Sequence, residues 1–205
     1  MLPSSNLAGV FHDAINEHLD IIRCLAAEQE TFERAASVLS RCLLHGGKIL
    51  WCGNGGSAAD AQHFAAELVG RFRRQRGAVP SIALTTDSSV LTAIANDFSF
   101  ELVFQRQVEA LCQAGDVVVG ISTSGNSANV CAALRRAREL EAFTIAMTGK
   151  SGGRLAQYAD ACLRVPSTDP ARIQEAHGLL GHMLCECLDH AMCAEEEFEA
   201  AGVAL

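Results

Sequence analysis

The chain contains few aromatic residues and few prolines. Nine Phe, one Trp and one Tyr make up 5% of its 205 residues. Leu, Val, Ile and Ala must therefore fill most of the core, and a chain of this length can form one domain with a complete core. Four Pro stand against seventeen Gly, a balance that suits a fold with tight turns between strands and helices.

An excess of positive charge is also missing. The formal net charge of −8 argues against a nucleic-acid partner, because contacts to nucleic-acid phosphates require clustered Lys and Arg. Four arginines between positions 71 and 76 form the only dense basic run, which we interpret as a solvated helix end rather than a binding patch. A site for a phosphorylated ligand must then obtain its positive potential from backbone amides, helix N-termini or a metal ion.

Signals for export and for membrane insertion are missing as well. The sequence starts without a basic segment followed by an apolar run, so we expect no signal peptide. Residues 117–134 carry no charge, but their Ser, Thr, Asn and Gly argue against a membrane span. Nine scattered Cys without a secretory context predict reduced, mostly buried thiols. We therefore expect a cytoplasmic protein with no membrane partner.

Helical periodicity dominates the first part of the chain. Apolar residues recur at helical spacing from about residue 7 to residue 45, and Gly46 and Gly47 then end the helical region. Such an extension has more apolar surface than one small domain needs. We therefore divide the chain into an N-terminal helical extension (1–46), which serves oligomerisation, and a main domain (47–205).

Beyond residue 47, short apolar runs alternate with helical stretches. Strands are predicted at residues 48–52, 81–84, 116–121, 143–147 and 161–165. Helices are predicted at residues 57–73, 88–95, 100–114, 127–140 and 170–198, with a helical turn at 154–158. The strand runs lack the alternation of half-buried strands, as buried parallel strands do. The pattern predicts a doubly wound, flavodoxin-like α/β fold with a parallel five-stranded sheet flanked by helices.

A glycine-rich turn at residues 53–57 is the first candidate site segment. It leaves a strand and enters a helix, and its glycines would let backbone amides approach a ligand. Ser57 and Asp60 fit a capping pattern, with Ser as the N-cap and an acid three residues later. The same pattern also fits a plain βα turn, and the local sequence leaves both interpretations open.

A serine-rich loop follows the third predicted strand. Ser122, Thr123, Ser124 and Ser127 offer four hydroxyls around Gly125, just before a helix begins. Phosphate favours several hydrogen-bond donors at a helix N-terminus without a bulky side chain nearby. The loop therefore predicts an anion site, although a serine-rich loop can also be only a loop.

Two helical segments offer metal-binding or acid–base side chains. His63 and Glu67 are four residues apart and share one helical face. Gln174 and His182 lie two turns apart on one broad face of the last helix. An exposed polar pair and a satisfied core histidine are the ordinary alternatives for these residues. We expect a structural role for His177.

Together these segments resemble the sugar isomerase (SIS) domain family over nearly the whole chain. The motifs that carry the resemblance lie at residues 53–57, 63–68, 95–98, 122–127 and 172–175. The resemblance is to members that interconvert sedoheptulose 7-phosphate and D-glycero-D-manno-heptose 7-phosphate through an enediolate. It implies a phosphorylated heptose as substrate and the first step of heptose precursor synthesis, with lipopolysaccharide as one use of the product.

The resemblance also implies roles at matching positions. The sugar would contact Asn54, Gly55, Gly56, Glu67, Asn96, Asp97 and Gln174. The phosphate would be held by Ser122, Thr123, Ser124 and Ser127. One Zn²⁺ per subunit would be bound by His63, Glu67, Gln174 and His182. Glu67 and His182 would also act as the acid–base pair, in a homotetramer with its sites at the subunit interfaces.

A second class with the same fold leaves another interpretation open. Those proteins are adaptors that bind the bacterial replication initiator without isomerase activity, and they typically carry Asn at the position of His182. The His at this position and the form of the serine-rich loop favour the isomerase. The preferred sugar phosphate, the glycan pathway, the role of zinc as catalyst or organiser, and the order in which Glu67 and His182 act stay open.

Overall fold

Two helices open the structure, a computed structural model that describes residues 4–200 and the side chains of residues 7–194. Helix α1 (Ser4–Cys24) is joined to helix α2 (Gln29–Leu44) by a 3₁₀ turn at Leu25–Glu28. The apolar face of α2 is buried in the main core at Ala35, Ala36, Leu39, Cys42 and Leu43. The helical periodicity of this region is therefore confirmed.

The centre of the molecule is one parallel sheet with the strand order β2-β1-β3-β4-β5. Its strands are β1 (Ile49–Gly53), β2 (Ser81–Ala83), β3 (Val117–Ser122), β4 (Phe143–Thr148) and β5 (Ala161–Arg164). Strands β1 and β3 are buried along their whole length, which explains their unbroken apolar sequences. The predicted doubly wound, five-stranded fold is confirmed.

Helices cover both faces of the sheet. They are α3 (Gly56–Val69), α4 (Ser88–Asp97), α5 (Gln105–Leu111), α6 (Ala128–Glu139) and α7 (Pro170–Ala200). Successive strand residues point to opposite faces, so Ile49 and Trp51 join the core under α2, α3 and α7. Leu50 and Cys52 join the second core, under α5 and α6.

The basic run at residues 71–76 is only partly the solvated helix end that we expected, because Arg71, Arg73 and Arg74 are exposed and Arg76 is buried. Helix α3 ends at Val69 rather than at residue 73, and the chain turns back toward α7. The Arg76 guanidinium is buried there, with its Nε 2.7 Å from Asp189 Oδ1 of α7. The prediction was wrong for the end of the helix and for Arg76, because the Asp189 carboxylate, far away in sequence, accepts hydrogen bonds from this segment.

The helix predicted at residues 100–114 is also interrupted. A 3₁₀ turn at Phe100–Leu102 precedes α5, and α5 ends at Leu111. Val103 and Phe104 lie between the two pieces and are buried in the second core. The chain bends at this point because both side chains insert under the sheet.

Helix α1 packs against α7 through polar contacts and leaves an apolar face exposed. Arg172 Nη1 donates to Ala14 O at 3.0 Å, and His18 Nδ1 lies 2.9 Å from Glu175 Oε2. The large apolar side chains that stay 43–63% exposed on α1 are Leu7, Val10, Phe11, Ile15 and Leu19.

Among the helices of the described residues, none is long and apolar enough to cross a membrane. Nine free thiols are present and five are buried, as expected.

Candidate active site

Helices α3 and α7 bring three polar side chains together. His63 Nε2 lies 3.1 Å from Glu67 Oε1, and His182 Nε2 lies 3.3 Å from His63 Nε2. One ligand atom from each of the three residues lies within 4.8 Å of the other two. Residues that are 119 positions apart in sequence thus form one cluster of two imidazoles and one carboxylate.

A close approach between the two helices creates this cluster. Phe64 of α3 is fully buried, and a Cβ added at Gly181 of α7 would overlap its ring. Phe64 directly follows His63, and Gly181 directly precedes His182. The missing side chain at Gly181 therefore lets the two histidine-bearing turns come together, which the apolar pattern around His182 did not indicate.

The glycine-rich turn lies under the side chain of Gln174. A Cβ added at Gly56 would be 2.5 Å from Gln174 Nε2, so a larger residue would collide with this amide. Helix α3 has Gly55 as its N-cap, and Ser57 is buried inside the first turn. The capping role predicted for Ser57 was wrong, because the helix begins before it.

Asp60 does not complete a cap either. Its Oδ2 is buried and has no hydrogen-bond partner among the described residues. Burial raises the pKa of the Asp60 carboxyl to about 6, and the nearby His63 opposes this shift. An acid that holds a proton up to mildly acidic pH therefore lies one helical turn before His63.

Asn54 is tied to the first turn of α6. Its Nδ2 donates to Asn129 Oδ1 at 2.8 Å, and Asn129 Nδ2 donates back to Asn54 Oδ1 at 2.9 Å. This reciprocal amide pair fixes the end of β1 against the helix that follows the serine-rich loop. Asn129 is a candidate site residue that the sequence did not single out, and an Asn in a first helical turn next to a polar loop was its only signal.

The serine-rich loop is ordered by its own side chains. Ser122 Oγ and Ser127 Oγ lie 2.9 Å apart, and Asn126 N donates to Ser124 Oγ at 3.1 Å. Ser127 is the N-cap of α6, and its side chain makes no capping hydrogen bond there. The helix N-terminus therefore keeps donor capacity for an anion.

Both loops leave the same edge of the sheet. Strands β1 and β3 are parallel neighbours, with Gly53 opposite Ile121. In a sheet of order β2-β1-β3-β4-β5, the chain reverses direction of winding between these two strands. Ligands of doubly wound folds bind at that switch point, beyond the carboxyl ends of the strands.

Two predicted substrate contacts, Asn96 and Asp97, are not hydrogen-bonded to this cluster in the described part of the chain. Asn96 and Asp97 lie at the exposed end of α4, where Asn96 Nδ2 donates to Asp97 Oδ1 at 2.9 Å. His177 is fully buried, with Nε2 3.3 Å from Thr148 O, as fits a structural histidine.

The donor set of the cluster fits a zinc ion. Zn²⁺ takes imidazole and carboxylate ligands at about 2.0–2.2 Å, so two donors of a tetrahedral site lie about 3.3–3.6 Å apart. The distances from His63 Nε2 to Glu67 Oε1 and to His182 Nε2 are 3.1 and 3.3 Å. Gln174 meets the turn at Gly56, and its role as a further ligand stays a prediction.

Comparison with known proteins agrees with the fold. A family model described as the SIS domain matches residues 11–149. The chain belongs to the SIS domain family.

Its relatives within that family are phosphoheptose isomerases. The one from Aquifex aeolicus is 56% identical over 158 residues, which are 77% of this chain and 83% of that protein. The one from Roseiflexus is 49% identical over 194 residues, which are 94% of this chain and 98% of that protein. The solved structure from Neisseria gonorrhoeae matches with a TM-score of 0.81 and 48% identity, covering 91% of this chain and 98% of that chain. The chain groups with the phosphoheptose isomerases and is an isomerase.

Proposed function

We propose that this isomerase interconverts sedoheptulose 7-phosphate and D-glycero-D-manno-heptose 7-phosphate. The observation that carries the proposal is the meeting of Glu67 and His182 across α3 and α7, in a fold where α3 begins directly at the glycine-rich turn. Relatives at 49–56% identity that cover most of the chain carry the name phosphoheptose isomerase, which supports the same assignment. The reaction would begin the synthesis of heptose precursors.

The serine-rich loop would hold the phosphate. The hydroxyls of Ser122, Thr123, Ser124 and Ser127 and the first amides of α6 offer donors to its oxygens. Binding of this remote group restricts the position of the sugar carbons near the glycine-rich turn. Part of the free energy of phosphate binding thereby offsets the entropy cost of orienting C1 and C2 of the sugar for reaction.

Glu67 and His182 would move the protons. In the open-chain ketose, Glu67 takes a proton from C1 while His182 supplies a proton to the oxygen at C2, which yields the enediol. Return of the first proton to C2 and loss of the proton on the C1 oxygen then give the aldose. The proposed contacts to the sugar hydroxyls are Asn54, Gly55, Gly56, Gln174, Asn96 and Asp97. Such positioned proton transfers contribute about 100-fold to 10,000-fold to a rate.

His63, Glu67, Gln174 and His182 are the proposed zinc ligands. Bound zinc would polarise the carbonyl and hydroxyl oxygens of the open-chain sugar. A side chain that gives its lone pair to a metal is a poorer base, so the metal and acid–base roles of Glu67 compete. Metal analysis of protein purified without chelator tests the assignment, and a fully active enzyme without zinc would overturn it.

We also propose a cytoplasmic homotetramer with its sites at subunit interfaces. The exposed apolar face of α1 supports packing of the extension (1–46) against another subunit. The free thiols support a reducing compartment. Sedimentation of the purified protein tests the assembly, and a stable monomer at micromolar concentration would contradict it.

The central experiment is NMR of sedoheptulose 7-phosphate incubated with zinc-loaded protein. We expect the aldoheptose phosphate to accumulate, and we expect Glu67→Gln and His182→Gln each to slow the reaction by at least about 100-fold while the assembly survives. Conversion of a different sugar phosphate would change the substrate. No conversion of any sugar phosphate, with both variants retaining binding of the replication initiator, would establish the adaptor instead.

A further inference from the structure

The seven residues that follow α3 form a clamp segment (residues 70–76) between α3 and α7. The carboxylate of Asp189 on α7 accepts from Arg73 N at 2.7 Å and from Arg74 N at 2.9 Å through Oδ2. Its other oxygen, Oδ1, accepts from Arg76 Nε at 2.7 Å. One buried carboxylate thus ties three residues of the clamp segment to the last helix.

The same arginine is tied to the end of α3. Arg76 Nη1 donates to Leu68 O at 2.8 Å, and Nη2 donates to Glu67 O at 3.0 Å. The side chains of Arg76 and Asp189 are 0% and 1% exposed. A buried ion pair costs desolvation, and it persists where hydrogen bonds satisfy its remaining polar atoms, as they do here. The anchor therefore joins the backbone of Glu67 to the helix that carries His182.

Phe72 in the middle of the clamp segment stacks on His182. The two ring centroids are 5.2 Å apart, with an interplanar angle of 22°. His63 meets the His182 ring edge-on, at 4.8 Å and 85°. The Arg73 guanidinium lies 5.4 Å from the centroid of Phe72 and pairs with Glu186 of α7 at 2.9 Å. The orientation of the imidazole is thus restricted from two sides.

We propose that the clamp segment sets the orientation of the His182 imidazole, with Phe72 as a positioning residue and the Arg76–Asp189 pair as its anchor. The inference rests on the proposed role of His182. A rotation of this partly exposed ring about its Cβ–Cγ bond would carry Nε2 away from His63 Nε2, 3.3 Å distant. Phe72 opposes the rotation because the turned ring would lose its stacking.

The test compares three variants. Phe72→Leu removes the ring and keeps an apolar side chain, while Phe72→Tyr keeps the ring. Phe143→Leu is the matched control, because Phe143 is also partly buried against the same core and also lies under an arginine, at 5.7 Å from Arg34. Phe143 lies at the start of β4, at the end of the sheet opposite the edge from which the glycine-rich turn and the serine-rich loop leave.

Three measurements are made on each variant. The first is the chemical shift of the His182 ring protons in zinc-free protein, assigned with His182→Gln. The second is zinc affinity by competition with a chromogenic chelator. The third is the separation of kcat from KM for sedoheptulose 7-phosphate.

For Phe72→Leu we expect a downfield shift of the His182 ring signals, because the stacked ring no longer shields them. Zinc affinity should fall about tenfold, as for residues that orient metal ligands. The value of kcat should fall about tenfold with little change in KM, because orientation and not substrate binding is lost. Phe72→Tyr should restore all three values, and Phe143→Leu should match the wild type.

Unchanged His182 signals and unchanged zinc affinity in Phe72→Leu would overturn the proposal, as would equal losses in Phe143→Leu. If Phe72→Leu does not fold, the same measurements on Phe72→Met and Asp189→Asn decide in the same way. If the wild type does not convert sedoheptulose 7-phosphate, the proposed function fails. The chemical shifts of the His182 ring protons and the zinc competition would still test whether the clamp segment orients His182.

Discussion

Helix α7 contains two glycines three residues apart, and they should respond to alanine in opposite ways. A Cβ at Gly178 would meet no atom within 4 Å, whereas a Cβ at Gly181 would overlap the ring of Phe64. In a helical position with free space around the added methyl group, Gly→Ala raises the free energy of unfolding by up to about 1 kcal/mol. An added methyl group in a packed core costs about 1–3 kcal/mol through displaced side chains.

The two variants should therefore differ by about 1–4 kcal/mol in the free energy of unfolding, with Gly178→Ala above the wild type and Gly181→Ala below it. For a chain of this size, each kcal/mol moves Tm by about 2–4 °C. Urea denaturation and thermal melts at one fixed protein concentration measure the difference, because association also contributes to apparent stability.

Activity provides the second measurement on the same pair. Phe64 adjoins His63 and Gly181 adjoins His182, so a displaced ring should separate the two imidazoles and lower kcat in Gly181→Ala alone. A shift of about 1 Å in a catalytic group can cost about 100-fold in rate. The reasoning is refuted if Gly181→Ala is as stable and as active as Gly178→Ala.

Three further predictions concern titration and hydrogen bonding. Burial lowers the pKa of His177 to about 4, so stability should fall as the pH falls from about 6.5 to about 4, because the unfolded chain gains a proton there. His177→Gln should flatten this part of the plot of unfolding free energy against pH, measured by urea denaturation, and an unchanged plot would contradict the prediction. Burial raises the pKa of Asp60 to about 6, so stability should fall as the pH rises from about 4 to about 6, where the unfolded carboxyl is ionised and the folded one is not. Asp60→Asn should therefore gain about 1 kcal/mol in the free energy of unfolding near neutral pH, after allowance for solvent screening, with no gain near pH 4. Asn129→Ala removes both hydrogen bonds to Asn54, and it should raise KM for the sugar phosphate severalfold while the circular dichroism spectrum stays unchanged. An unchanged KM would show that the position of Asn54 does not affect substrate binding.

Local patterns predicted the elements well, because each element has a strong signal within itself. The buried runs of β1 and β3, the glycines after α2 and the polar loop before α6 all depend on near neighbours in sequence. The end of α3 could not be predicted in this way. It depends on Asp189, whose carboxylate holds the backbone of Arg73 and Arg74 from across the fold.

The candidate site also has some features that local sequence predicts and others that depend on tertiary packing. The spacing of His63 and Glu67 places them on one helical face whatever the fold. Their meeting with His182 requires the close approach at Gly181, which only the packed helices reveal. The pairing of Asn54 with Asn129 likewise needs the adjacency of β1 and β3. Local sequence identifies the candidates, and tertiary packing decides which of them meet.

The position of α7 after the whole sheet has a consequence for synthesis. A nascent chain that has emerged only as far as β5 already contains the whole sheet, the glycine-rich turn and the serine-rich loop. It still lacks Gln174, His182 and the Asp189 carboxylate, so it holds only part of the proposed acid–base pair and of the proposed metal ligands. The cluster of His63, Glu67 and His182 therefore forms only after translation of α7, when that helix docks against α1, α2 and α3.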